Sequence, residues 1–197
     1  GFLPHRIKCV PNAPNRTRLT GEVEKIKNSF CWIGRFELQK DPMTFVKAAV
    51  DYINVNGDGA YFEMWGEGSL RAVMELEVRK LPRNLEKSIR IKGWCENPIE
   101  TMSRHENYVT TSTYEGMPLV LLEAMVANCN IIATNIEEHR ETMDGQNATY
   151  YNIRGHVELN KIFSDVTFSK KSILKNYYRY KTPEERAVEL QTIYMEL

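Results

Sequence analysis

The sequence predicts an α/β protein: a doubly wound parallel sheet of about six strands, with helices on both faces and a helical tail. Three observations carry that expectation. Short apolar runs alternate with stretches of helical spacing from residue 29 onward. The runs are continuously apolar, as in strands buried on both faces of a parallel sheet. With 197 residues, 42% hydrophobic and 26% charged, the chain has the size and balance of one ordinary globular domain.

Each element is read in turn. Ser29–Gly34 is a buried strand. Asp41–Ile53 is a helix, with Phe45, Ala48, Ala49 and Tyr52 on one face. Strand Tyr61–Trp65, helix Ser69–Leu81, strand Ser88–Lys92 and a short helix near Ile99–Ser103 follow. Then come strand Tyr108–Thr111, helix Pro118–Ala127, strand Asn130–Ala133, a helical turn at Glu137–Met143 and strand Ala148–Tyr151. Helices at His156–Ser164, Lys170–Tyr178 and Pro183–Glu196 close the chain. Such alternation builds βαβ units on one sheet. The organisation reads as a linker over residues 1–27, a ligand-binding domain over 28–166 and a helical tail over 167–197.

Charge and composition exclude several functions. Twenty-six Lys+Arg balance 26 Asp+Glu, so a whole-surface affinity for nucleic acid is not expected. No apolar run has the length to span a bilayer. The chain starts at Gly1 rather than Met and reads as a piece of a longer protein. Cys9, Cys31, Cys95 and Cys129 form no C-x-x-C pair and read as reduced thiols of a cytoplasmic protein. The sequons at Asn15 and Asn147 read as fortuitous.

In a doubly wound sheet, ligands bind outside the carboxyl ends of the strands. There the sequence places Gly34-Arg35 with Lys40, then Gly66-Glu67-Gly68, Gly93-Trp94-Cys95, Glu115-Gly116-Met117-Pro118 and Thr134-Asn135. Glycines admit a ligand close to the backbone. A helix starting at Pro118 offers free N–H groups, and two cations complement an anion. Together these point to a phosphate-bearing ligand. Gly66-Glu67-Gly68 starts like a dinucleotide fingerprint, but Arg71 stands at the third glycine and the motif follows the second strand. It therefore reads as a tight turn. Glu123 is the one charge in an otherwise apolar helix. It either pairs with a cation, reaches solvent, or faces the cleft and accepts bonds from ligand hydroxyls. Glu115 lies at a strand end, within reach of a substrate group, where it would also complement the helix dipole.

The segment Ser112–Thr134 holds Glu115-Gly-Met-Pro-Leu-Val-Leu-Leu-Glu123, two glutamates with seven residues between. It resembles the signature of the group-1 retaining glycosyltransferases, which have two Rossmann-like domains in the GT-B arrangement. The resemblance extends over about residues 7–152: Val10-Pro11-Asn12, Gly34-Arg35 with Lys40, Gly66-Glu67-Gly68, Gly93-Trp94 and Glu141 match further family positions. It implies the C-terminal, donor-binding half of such an enzyme, with the acceptor site on an absent N-terminal half. It implies that Arg35 and Lys40 bind the diphosphate, that Glu123 bonds the ribose and that Glu115 contacts the transferred sugar, as positioning group or as nucleophile. Gly34, Gly66, Gly116 and Pro118 would line the donor site, the amides of Met117, Leu119 and Val120 would meet phosphate or sugar, and Trp94 and Cys95 would border the base. No metal and no cofactor is implied beyond the nucleotide sugar itself, and no Asp-x-Asp motif occurs. Where many members have two glycines after the fifth strand, this chain has Ile136-Glu137-Glu138-His139, with His139 read as a surface histidine.

Two rival readings are a non-catalytic nucleotide-binding module and a nucleotide-sugar epimerase of the same fold. The broken fingerprint disfavours an oxidoreductase. Residues 161–181 hold Lys161, Lys170, Lys171, Lys175, Arg179 and Lys181, interleaved with tyrosines. That pattern allows peripheral contact with an anionic membrane, competing with plain packing of the tail on the domain.

Overall fold

The structure is a computed structural model that describes residues 23–143, 148–167 and 182–195. Six parallel strands form one sheet in the order β3-β2-β1-β4-β5-β6: β1 (Ile26–Ile33), β2 (Tyr61–Trp65), β3 (Ile89–Ile91), β4 (His105–Thr110), β5 (Asn130–Thr134) and β6 (Ala148–Tyr151). The chain winds outward one way through β2 and β3, then returns to β4 beside β1 and winds the other way. The direction therefore reverses between β1 and β4, and such a reversal opens a crevice at the carboxyl ends.

The helices are α1 (Pro42–Asn56), α2 (Arg71–Val78), α3 (Pro98–Ser103), α4 (Leu119–Val126), α5 (Glu137–Met143), α6 (His156–Asp165) and α7 (Pro183–Met195). Side chains alternate across β1 and so feed two cores. Phe30 and Trp32 join Phe45, Phe62, Met64 and Phe163 under α1, α2 and α6. Phe30 stacks on Phe62 at 5.1 Å between ring centroids, and Phe163 meets Phe30 at 4.5 Å. On the other face Cys31 joins Tyr108, Leu121, Met125, Cys129 and Ile131 against α3 and α4. Cys31, Cys95 and Cys129 are free and buried.

Helix starts follow local chemistry. Asp41, in the left-handed region at φ 43°, caps α1 by accepting from Thr44, and Pro42 opens the helix. Asn97 caps α3 by accepting from the Glu100 amide, again ahead of a proline.

Two expectations change here. The end of the segment read as a linker up to residue 27 already belongs to the domain, since β1 starts at Ile26. Lys25 just before it donates to the carbonyls of Ser103 (3.1 Å), His105 (2.7 Å) and Ala127 (3.0 Å). Ser103 ends α3 and Ala127 caps the end of α4, so one ammonium complements two helix carboxyl termini. Burial pushes its pKa down. Secondly, Gly66-Glu67-Gly68 is more than a tight turn: a turn closes from Gly68 to Arg71, whose N–H donates to Gly68 O at 3.3 Å, but the two glycines also mark a crossing of two backbones. A Cβ on Gly66 (φ +148°) would lie 1.9 Å from the Gly34 carbonyl oxygen, and one on Gly68 (φ +155°) 2.5 Å from that of Phe36. The residues 1–22 that hold Val10-Pro11-Asn12, the second sequon's Asn147, the Lys170–Tyr178 helix and most of the basic stretch lie outside the described residues.

Candidate functional site

The loops after β1, β2 and β3 are bound to each other by backbone hydrogen bonds. Gly34 N–H donates to Trp65 O (3.0 Å), Gly66 N–H to Gly93 O (2.9 Å) and Phe36 N–H to Glu67 O (2.8 Å). Arg71, which breaks the dinucleotide fingerprint, is a strut beneath them. Its guanidinium donates to Lys92 O (2.9 Å) and Glu67 (3.0 Å), and to Glu75 at 3.0 Å from Nε. The loop carrying Lys40 is tied to the β4 loop: Thr111 Oγ1 donates to Lys40 O (2.6 Å), Trp32 Nε1 donates to Thr111 Oγ1 (2.8 Å), and Thr113 N–H donates to Gln39 O (2.8 Å).

This scaffold surrounds a cleft of 380 Å³ at the carboxyl ends. Of the residues to which the resemblance gives a donor-site role, all line it except Gly116, which is exposed and where an added Cβ would meet nothing within 4 Å; Glu67, Gly68, Gly93, Thr134 and Asn135, also placed at the carboxyl ends, do not line it. Ile33, Trp65 and Pro98 also line it. Following the strand order, Trp94, Cys95 and Pro98 stand at the β3 end and Trp65 and Gly66 beside them. Gly34, Arg35 and Lys40 come after β1, and Glu115 after β4.

The charged end straddles the reversal point. Lys40 Nζ lies 2.5 Å from Glu115 Oε1, and Ser112 Oγ donates to the same oxygen at 2.6 Å. The side chains are only 19% and 7% exposed, so the pair is largely desolvated. Arg35 stands exposed, donating to Gln39 at 3.1 Å, and makes no ion pair among the described residues. Glu123 projects from α4 into the cleft, partly buried. It has no cation beside it among the described residues, and burial alone pushes its carboxyl up. Of the placements open from sequence, Glu123 thus takes the one on the cleft wall. Burial also pushes the Cys95 thiol up, and its Sγ donates to Thr101 at 3.4 Å.

The start of α4 differs in detail from expectation. Pro118 gives no side-chain cap, leaving the first turn open to the cleft. The Leu119 amide, however, already donates to Met117 O at 3.0 Å. After β5, Ile136 is buried, and on α5 Glu137 and Glu141 are exposed while Glu138 accepts from the Glu115 amide at 3.4 Å. His139 is fully buried, not a surface residue. Its Nδ1 lies 2.9 Å from the Thr134 carbonyl, which assigns the proton to Nδ1, and Nε2 has no hydrogen-bond partner among the described residues. Burial lowers its pKa, against the Thr134 bond and nearby Glu115, which raise it. The buried face of a seven-residue helix was not visible in so short a pattern.

Sequence reasoning also missed Glu63. This strand residue accepts from Tyr61 OH (2.9 Å) and Trp65 Nε1 (3.0 Å) and faces His105 Nε2 at 3.1 Å. Burial opposes its charge, but the bonds from His105, Trp65 and Tyr61 outweigh it and hold the carboxyl down at about 2. A carboxylate amid Tyr61–Trp65 was the available signal.

Residues 27–159 match the sequence profile of the family described as glycosyl transferases group 1. The chain is 25% identical over 142 residues to the capsular polysaccharide biosynthesis glycosyltransferase CapH of Staphylococcus aureus, covering 71% of this chain and 39% of that protein. It is 29% identical over 147 residues to the Escherichia coli UDP-Gal:alpha-D-GlcNAc-diphosphoundecaprenol alpha-1,3-galactosyltransferase, covering 68% and 38%. Among solved structures, the pneumococcal O-GlcNAc transferase GtfA, in complex with UDP and GlcNAc, superposes with a TM-score of 0.75 at 18% identity. That superposition covers 93% of this chain and 38% of that one. The chain thus spans less than two fifths of the length of these relatives. The structural likeness shows a shared fold, that of GT-B glycosyltransferases. The profile match, which takes in every strand but the first residue of β1, shows more: the chain belongs to the glycosyl transferases group 1 family.

Proposed function

We propose that the chain is the donor-binding half of a retaining glycosyltransferase, which passes a sugar from a nucleoside diphosphate sugar to a glycan or lipid-linked glycan. The observation that carries this reading is the cleft itself: cations at one end, flat apolar side chains at the other, and on its wall the partly buried Glu123, with no counter-ion among the described residues. A nucleotide sugar presents the complementary sequence of groups. Arg35 and Lys40 hold the diphosphate and stabilise charge that develops as it departs. Glu123 accepts from ribose hydroxyls. Glu115, whose Oε1 is occupied by Lys40 and Ser112, positions the sugar through Oε2. Because diphosphate competes with Glu115 for the Lys40 ammonium, donor binding loosens the pair seen here. The acceptor site belongs to an N-terminal half outside this chain. The names of relatives acting in capsule synthesis and on an undecaprenol-linked sugar support the acceptor class. They also fit work at the cytoplasmic face of a membrane, with the basic tail as contact. No helix among the described residues is long and apolar enough to cross a membrane.

Calorimetry with UDP, GDP, ADP and their sugars tests the reading. One nucleotide binds the 197-residue chain, with no sugar transfer by this chain alone. Glu123→Ala weakens the nucleotide with or without its sugar. Glu115→Ala weakens only the sugar nucleotide, each by about 1.5–3 kcal/mol, the value of a hydrogen bond to a charged group. Equal losses on both ligands would overturn the division of roles, and robust transfer by this chain alone would overturn the need for a second half.

A further inference from the structure

Glu63 does not line the cleft, yet it is among the most heavily hydrogen-bonded side chains near it. Its side chain is 12% exposed, and a carboxylate so buried is costly unless its lone pairs are used. They are used by Tyr61, Trp65 and His105. Since Glu63 is ionised, the bond to His105 requires the ring proton on Nε2. His105 is 1% exposed and stacks on Tyr61 with ring planes 2° apart. Of these partners only Trp65 reaches the cleft. The Lys92 ammonium stands 5.9 Å from the Trp65 ring centroid, bracketing the indole from the β3 side. Trp94, the other indole at this end, is 72% exposed and takes no part in the Glu63 cluster. The cleft thus has one indole fixed from behind and one at its mouth.

We propose that Glu63, backed by His105, is a positioning residue that holds the Trp65 indole as the wall against which the nucleotide's base rests. The inference deepens the donor-site reading and rests on it. The base is the flat, weakly polar end of a nucleoside diphosphate, and the Trp65–Trp94–Pro98 end is the part of the cleft suited to it. The anionic end goes to Arg35 and Lys40. A fixed indole gives contact area without loss of side-chain freedom on binding.

The test compares Trp65→Ala and Glu63→Gln with the wild-type chain. The probes are UDP, GDP and ADP for the whole site and inorganic pyrophosphate for the charged end. Indole N–H resonances are followed by NMR. In the wild type the Trp65 resonance shifts on binding the preferred nucleotide. Trp65→Ala weakens that nucleotide about 5- to 100-fold, the range for lost base–aromatic stacking. Glu63→Gln moves the Trp65 resonance in the free protein and weakens the nucleotide by about threefold or more, since the wall is loosened rather than removed. Pyrophosphate binds all three proteins alike. If nucleotides bind but neither variant changes their affinity, the wall is wrong and the donor-site reading stands. If both variants weaken pyrophosphate as much as nucleotide, the cluster is merely structural. If the wild type binds none of the three nucleotides, the donor-site reading falls and the wall with it. Trp65→Ala decides the point alone should Glu63→Gln not fold.

Discussion

The two ends of the cleft hold their carboxylates in opposite ways. At the β1/β4 end Glu115 faces a single cation, Lys40, with one hydroxyl from Ser112 beside it. At the β2/β3 end Glu63 faces Tyr61, Trp65 and His105 behind the wall. The first arrangement can be exchanged for a ligand phosphate, because Lys40 lines the cleft and keeps donors to share. The second cannot, because its partners are side chains locked in the sheet. A carboxylate that a ligand must disturb is left with a replaceable partner. One that shapes a wall is saturated from within.

Removing the exchangeable partner is expected to have the largest effect. On the proposed donor-site reading, Lys40→Ala in the full-length protein should lower kcat/KM for sugar transfer by about 100- to 1000-fold, the loss seen when one electrostatic stabiliser of a transition state is deleted. Steady-state kinetics with donor and acceptor check this, and a loss below tenfold would place the phosphate elsewhere.

The scaffold between the two ends is tested by a pair of glycines. Gly66→Ala forces a Cβ to within 1.9 Å of a backbone oxygen at φ +148° and should cost about 2–4 kcal/mol of stability in urea unfolding. Gly116→Ala meets nothing within 4 Å and should stay within about 0.5 kcal/mol. Equal costs would mean that the crossing of the β1 and β2 loops does not set the shape of the cleft.

The saturated end carries a pH signature. The bonds from His105, Trp65 and Tyr61 hold the Glu63 carboxyl down at about 2, below the ordinary carboxyl value of about 4.5. A depressed carboxyl stabilises the fold above the unfolded pKa, and that stability is lost as pH falls from about 4.5 through about 2. The wild-type advantage over Glu63→Gln should shrink across that window, and an advantage independent of pH would show that the carboxylate's charge is not what the cluster stabilises.

The smallest effect belongs to His139, behind the exchangeable end. Burial depresses its pKa below 6.5, so its neutral form stabilises the fold above that value and the contribution fades as pH drops below it. One proton limits the slope to about 1.4 kcal/mol per pH unit. His139→Gln should flatten the stability profile between neutral and mildly acid pH. A slope unchanged by that substitution would assign the pH dependence to other groups.

The comparison also separates what was legible in the sequence from what was not. The charged end could be read because its residues sit at fixed offsets from strands. Arg35 and Lys40 follow β1, and Glu115 and Glu123 flank the start of α4. The element order was readable for the same reason, with strand and helix boundaries shifting by only a few residues, as at Ser29 against Ile26 for the start of β1. The wall was not readable, because Glu63 and His105 are 42 positions apart and meet only when β2, β1 and β4 lie side by side.

By itself, then, the sequence determined the periodicities, the alternating order of strands and helices, and therefore which residues gather at the carboxyl edge. Those are consequences of local spacing and of the single hand in which βαβ units close. Only the tertiary structure decided which polar groups are desolvated and who their partners are. Lys25 turned from a linker cation into a bridge to Ser103, His105 and Ala127. His139 turned from a surface group into a buried one, and Glu63 became the anchor of a tryptophan. Burial and pairing depend on side chains brought together from distant parts of the chain, and the cost of removing a charge from water is set by that company alone.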